Sequence, residues 1–155
     1  YTNYSSIKSK ELESNAKCSA LFHWDKFGLQ VRIRGTAIRC ADSKNDAYFS
    51  SRDLGSQIAA WASDQSKEIE SLEMMDTSYQ KIMDKFKINN LVNDPEKEIP
   101  RPDFWGGYEI WVGEIELWKN QKNRFHDRLK FTRNISIENG NIEADKEWSI
   151  IRIQP

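Results

Sequence analysis

Hydrophobic and polar residues alternate along residues 29–34, with Leu29, Val31 and Ile33 set against Gln30, Arg32 and Arg34. A period of two predicts a strand with one face buried. Residues 19–24 alternate in the same way, Ala20, Phe22 and Trp24 opposing Ser19, Leu21 and His23, and 25–28 supply a hairpin-like connection. Gly35 predicts a bulge or bend before 36–39. The opening Tyr1-Thr2-Asn3-Tyr4 reads as the end of a strand entering a turn, and Lys10, Glu11, Leu12 and Glu13 favour a short helix over 9–16. Asp42 or Ser43 can cap a helix running to about Arg52 and stopped near Gly55, with a second short helix over 57–63. From 67 to 87, Ile69, Leu72, Met75, Tyr79, Ile82 and Phe86 recur at three- and four-residue steps. That spacing draws one apolar stripe along a long surface helix. Three prolines make 89–102 a loop. Strands are expected at 108–118, 125–133 and 148–153, with a polar turn region over 134–146. The order β-β-α-α-α-β-β-β predicts an α+β fold, an antiparallel sheet or barrel with helices at one side.

The 155 residues predict a single domain, 1–155. At that size about 70% of the unfolded surface can be buried, so no disulfide or metal is required for folding. Lys and Arg number 23 against 24 Asp and Glu, a net charge of −1. This balance argues against a protein that works by neutralising a nucleic-acid backbone. Two cysteines, Cys18 and Cys40, fit a reducing compartment, here the cytoplasm. No apolar run approaches the ~20 residues of a membrane span. The opening without Met and without a leader points to a fragment or a processed chain.

Two clusters could carry chemistry. If 124–133 is a strand, Arg124, His126 and Arg128 share one face, where two guanidiniums flanking an imidazole offer donors to an anionic or electron-rich ligand. The alternative is an exposed basic face on a solvated strand. Tyr48 and Arg52 are four apart on a helix, with Ser56 one turn further. A phenol, a guanidinium and a hydroxyl converging near a helix end would bind a phosphate monoester, although separate packing and solvation of the three explains them as well. Ser5, Ser6 and Lys8 lie near a helix start, where ordinary capping competes with anion binding. His23, in an aromatic strand, reads as structural. There is no zinc-type Cys/His spacing, no Gly-rich phosphate loop and no G-x-S-x-G.

Taken together, several stretches resemble the pyridoxine (pyridoxamine) 5′-phosphate oxidase family. They are Tyr1-Thr2-Asn3, Gln30-Val31-Arg32, Tyr48-Phe49-Ser50-Ser51-Arg52, Gly55-Ser56-Gln57-Ile58, Ala60-Trp61-Ala62-Ser63, Gln65-Ser66, Phe104-Trp105-Gly106-Gly107 and Arg124-Phe125-His126-Asp127-Arg128. The resemblance implies an FMN-binding split β-barrel of Greek-key type with flanking helices, its C-terminal part serving dimerisation and substrate binding. It also implies a homodimer with FMN at the interface, no nucleic acid and no membrane. The reaction implied is oxidation of pyridoxine or pyridoxamine 5′-phosphate to pyridoxal 5′-phosphate, with oxygen as acceptor and hydrogen peroxide as product. By matching position, Tyr1, Thr2, Lys8, Gln30, Gln65, Ser66, Trp118 and Arg128 look like flavin contacts. Tyr48, Arg52 and Ser56 look like the substrate-phosphate clamp, and Arg124 and His126 like the catalytic pair covering the substrate ring.

The sequence departs from the family at three points. Ile7 stands where the family usually has an arginine gripping the FMN phosphate. The missing charge-assisted hydrogen bond, about 1.5–3 kcal/mol, would lower affinity by roughly one to two orders of magnitude. Ala59-Ala60-Trp61 replaces the usual Gly-Ala-Trp. The family also has a segment before Tyr1 carrying the first barrel strands and basic phosphate-binding residues. These departures sustain an alternative, a non-catalytic member that holds FMN or pyridoxal phosphate without turnover.

Overall fold

The alternating runs form strands, and the stretches rich in helix formers form helices. Their order is β1 (Thr2–Asn3), α1 (Ile7–Ser14), β2 (Lys17–Trp24), β3 (Leu29–Arg39), α2 (Asp42–Ser50), α3 (Leu54–Ala62), α4 (Leu72–Lys85), β4 (Trp105–Gly106), β5 (Tyr108–Lys119), β6 (Asp127–Thr132), β7 (Ile135–Glu138), β8 (Asn141–Ala144) and β9 (Ser149–Arg152). The computed structural model describes residues 1–89, 97–138 and 141–155. Part of the expected proline-bearing loop, 90–96, and two residues of the expected polar turn, 139–140, lie outside the described residues. The fold is α+β, and the chain divides into two compact units, Tyr1–Ser14 with Arg39–Tyr108, and Asn15–Ile38 with Glu109–Pro155.

In the first unit β1 pairs antiparallel with β4, Thr2 opposite Gly106 and Asn3 opposite Trp105. Ser6 caps α1 by accepting a hydrogen bond from the Ser9 N–H at 3.3 Å. Asp53 caps α3, its carboxylate accepting from the Ser56 N–H at 2.8 Å. This cap starts the helix at Leu54, so Gly55 lies inside the first turn of α3 and does not stop the preceding helix. The core gathers Phe49, Leu54, Ile58, Ile88, Ile99 and Trp105, against which Trp61, Tyr79, Ile82, Met83 and Phe86 pack. The apolar stripe of α4 is therefore used in its C-terminal half, while Leu72 and Met75 stay exposed. Phe49 is 1% exposed, so Phe49→Ala would cost about 3–5 kcal/mol.

The second unit carries a five-stranded sheet in the order β2-β3-β5-β6-β9, beside a β7-β8 hairpin formed where a polar turn was expected. The β2–β3, β5–β6 and β6–β9 pairs are antiparallel. Among the described residues the sheet is open, with no closed barrel. No bulge interrupts the β2–β3 pairing at Gly35, where the register runs from Lys17 opposite Thr36, through Cys18 opposite Gly35, to Trp24 opposite Leu29. Glycine stands there for another reason. A Cβ at Gly35 would lie 2.2 Å from the Trp111 carbonyl oxygen, a separation no side chain tolerates.

Candidate functional site

Side-chain contacts across three strands of the second unit define a charged sheet face. Glu116 on β5 accepts from Arg32 Nη2 on β3 and from Arg128 Nε on β6, the latter at 2.8 Å. One pleat along, Glu114 meets Lys130 Nζ at 2.7 Å and Arg34 Nη1 at 3.8 Å. Because side chains alternate along a strand, Gln30 shares the face of Arg32, and Trp118 shares that of Glu116. Trp118 stands directly opposite Arg128 in the β5–β6 register. Gln30, Trp118 and Arg128, three of the expected flavin contacts, thus lie on one face of one sheet. Its four cations exceed its two carboxylates, so the face is net positive. Arg128 also donates from Nη1 to the Gln154 carbonyl at 2.9 Å, which fixes its guanidinium plane.

The strand expected over 125–133 begins only at Asp127. Before it, Lys122–Arg124 form a 3-10 turn in which Asn123 (φ 57°) and Arg124 (φ 63°) are both left-handed. The shared-face argument for Arg124, His126 and Arg128 fails for this reason, since Arg124 and His126 precede the strand. His126 is placed by other means. The Gln121 backbone N–H donates to His126 Nδ1 at 3.3 Å, and the ring lies 4.5 Å from that of Trp118. Nδ1 acts as an acceptor, so the neutral imidazole carries its proton on Nε2. His126 lines an open cleft of about 660 Å³ with Lys122, Phe125, Asp127, Arg152 and Gln154. Arg124 is exposed beside it and is not part of the lining.

In the first unit the expected phosphate-binding residues meet an aromatic stack. The ring of Tyr48 lies 3.8 Å from that of Tyr1 and 6.2 Å from that of Trp105, nearly parallel to both. The Arg52 guanidinium carbon stands 5.0 Å from the centre of the Trp105 ring. Arg52 Nη1 is buried and has no hydrogen-bond partner in the structure. A buried, unpartnered donor is costly, and an anion would satisfy it. Ser56 is tied to the α3 cap, hydrogen-bonded to Asp53 through its N–H and through its hydroxyl, whose bond is the main reason the Asp53 carboxyl is held below its ordinary value.

Of the remaining expected flavin contacts, Thr2 and Gln65 form a polar knot, whereas Tyr1 lies in the aromatic stack with Tyr48. Gln65 Oε1 accepts from Thr2 Oγ1 at 3.0 Å and from the Asn3 N–H at 2.8 Å, and Thr2 Oγ1 lies 3.2 Å from Ser6 Oγ. Ser66 has φ 70°, a left-handed conformation that a non-glycine residue adopts only where its surroundings impose it. Lys8 and Ile7 are both exposed at the start of α1. Sequence reasoning missed two residues here. Trp105 stacks in the first unit, and Glu116 holds two arginines in the second. The period-two set Glu114, Glu116 and Trp118 opposite Arg128 and Lys130 carried a signal for the second.

Fold and site together define an α+β protein with a net-positive, aromatic-edged sheet face in one unit and, in the other, a half-buried arginine whose Nη1 has no hydrogen-bond partner. The chain belongs to the pyridoxamine 5′-phosphate oxidase family. Residues 1–85 match the family profile described as pyridoxamine 5′-phosphate oxidase, and residues 105–155 match the pyridoxine 5′-phosphate oxidase C-terminal dimerisation region. The family's cofactor is FMN. All 155 residues align with the pyridoxine/pyridoxamine 5′-phosphate oxidase of Rubrobacter xylanophilus at 38% identity, covering 63% of that protein. The enzyme of the same name from a Psychrobacter species is 40% identical over 157 residues, with 66% of its length covered. The chain thus spans slightly under two thirds of these relatives.

Among solved structures, PhzG from Burkholderia lata 383, in complex with tetrahydrophenazine-1-carboxylic acid, superposes with a TM-score of 0.78 at 26% identity. The match covers 99% of this chain and 66% of that one. A pyridoxamine 5′-phosphate oxidase-related, FMN binding protein from Nostoc punctiforme matches with a TM-score of 0.60 at 11% identity, a likeness of fold.

Proposed function

We propose that this chain is the FMN- and substrate-binding part of an oxidase that converts pyridoxine or pyridoxamine 5′-phosphate to pyridoxal 5′-phosphate and works as a homodimer. The observation that carries the reading is Arg52. Its buried, unpartnered Nη1 lies beside Trp105, and Tyr48 stacks on the same aromatic group, which suits a phosphate attached to a small molecule.

The residues of the sheet face fit FMN. In the second unit, Gln30, Trp118 and Arg128 share a net-positive surface that suits the carbonyl oxygens of the flavin ring and its reduced, anionic form. In the first unit, taken by itself, Thr2, Gln65, Ser66 and Lys8 supply polar groups and one cation suited to a phosphate. When bound, FMN supplies the two-electron redox chemistry, with oxygen as the final acceptor and hydrogen peroxide as product. The protein binds, orients and manages protons. Arg52 and Tyr48 hold the substrate phosphate, and Ser56 joins them by exchanging its hydroxyl's bond to Asp53 for one to the phosphate. His126, with Nδ1 engaged by the Gln121 N–H, presents Nε2–H as a donor toward the substrate, and Arg124 adds positive charge beside the same cleft.

The test is direct. The purified protein containing this sequence is expected to be yellow and to release peroxide when given pyridoxamine 5′-phosphate. Colourless protein that stays inactive with added FMN would overturn the reading. Ile7 favours a second reading, a member that binds pyridoxal phosphate or FMN without turnover, and saturable binding with no peroxide would distinguish it.

A further inference from the structure

Glu116 is buried at 5% exposure on the central strand β5 and holds a guanidinium on each side. Buried ion pairs are weak devices for stability, since apolar replacements of similar volume are often neutral or stabilising. A carboxylate retained between two arginines therefore calls for a role in orientation. The hydrogen bonds around Arg128 indicate which. Nε is committed to Glu116 and Nη1 to the Gln154 carbonyl, so one rotamer is fixed. Arg128 also stands opposite Trp118 on the face assigned above to FMN. Arg32, the other partner, keeps a buried Nε with no hydrogen-bond partner, so its place depends on Glu116 as well.

We propose that Glu116 is a positioning residue for the cofactor. It touches no ligand, but locks the Arg128 guanidinium in the plane needed to meet FMN and offsets part of the positive charge around it. The proposal rests on the FMN reading and goes beyond it in assigning the bridge a function.

The experiment measures FMN dissociation constants, by quenching of flavin fluorescence, for the protein containing this sequence and its variants. Wild type is read first, because absence of saturable binding there sinks the FMN reading itself. Given wild-type binding, Glu116→Gln is expected to weaken FMN about tenfold or more, with Glu116→Asp recovering part of the loss. Arg128→Lys keeps the charge but loses the fork, so it should weaken FMN comparably. In the Arg128→Lys background, adding Glu116→Gln should change affinity less than twofold, because the carboxylate acts through Arg128. The midpoint potential of bound FMN should also move in Glu116→Gln, a readout that a purely structural carboxylate would leave in place. Independent, additive losses would overturn the proposal. So would a lowered thermal midpoint in Glu116→Gln with FMN affinity within twofold of wild type and an unchanged potential. Should Glu116→Gln fail to fold, the comparison of Arg128→Lys with Glu116→Asp decides alone, and an unchanged FMN affinity in both overturns it.

Discussion

Arg52 lies 5.0 Å from the centre of the Trp105 ring, and its buried Nη1 has no hydrogen-bond partner. A guanidinium held against an aromatic surface with one donor unmet is prepared for an anion of defined position. Arg52→Lys keeps a charge but loses the planar fork. The expected result is a KM for pyridoxamine 5′-phosphate raised about 10- to 100-fold, the equivalent of a lost charge-assisted hydrogen bond. Kinetics with the phosphorylated and dephosphorylated amines check this, because only the phosphorylated one should respond.

Ile7 is 58% exposed in the first turn of α1, so a long basic side chain fits there without burying its charge. Ile7→Arg is expected to tighten FMN binding by about one to two orders of magnitude. Fluorescence titration measures it, and an unchanged dissociation constant would show that the FMN phosphate lies elsewhere.

Asn123 and Arg124 occupy consecutive left-handed positions, a conformation that costs a non-glycine residue about 1–2 kcal/mol. Arg124→Gly should therefore hold or raise the unfolding temperature while turnover collapses. Arg124→Ala should damage turnover far more than FMN binding. Parallel thermal melts, FMN titrations and peroxide assays test the pair, and equal losses of flavin and turnover would refute the assigned role.

The Glu116 carboxyl is held below the ordinary carboxylate range, first by the hydrogen bond from Arg128 and then by the charges of Arg128 and Arg32, against the opposing effect of burial. A lowered pKa means fewer protons bound in the folded state than in the unfolded one. The resulting stability is complete above about pH 4.3, the unfolded value, and is lost as pH falls through the lowered folded value. Urea unfolding between pH 7 and pH 3 should show the gap between wild type and Glu116→Gln narrowing in acid. A constant gap would contradict the linkage.

Much of this architecture was readable in the order of residues. The alternations at 19–24 and 29–34 marked β2 and β3 because side chains alternate along a strand, although Phe22, Trp24 and Leu29 of the apolar set stay exposed and the expected buried face does not form there. Tyr48 lies on α2 as expected, whereas Arg52 falls beyond the end of that helix at Ser50, in the turn before α3, so the two do not share a helix. The errors have physical causes. Gly35 looked like a break because sequence shows an absent side chain but not the Trp111 carbonyl that requires its absence. Arg124 was assigned to a strand because its basic neighbours alternate, whereas the backbone turns left-handed just before Asp127. Leu72 and Met75 continued the stripe of α4 by spacing alone, but the core of the first unit ends before it reaches them. Trp105 was legible as an aromatic in one of the stretches that resemble the family, but its stack with Tyr1 and Tyr48 depends on β1 lying against β4, a long-range pairing that local pattern does not carry.

The near-contact at Gly35 has mechanical leverage. Three residues before it on the same strand, Arg32 reaches across to Glu116, and one residue before it Arg34 approaches Glu114. Even a methyl group at position 35 would wedge β3 off β5 and draw both guanidiniums away from their acceptors. A substitution on the apolar-spaced side of the strand would then be felt as misalignment of the charged groups on the opposite face, so the space left by one absent side chain sets the tolerance of that surface.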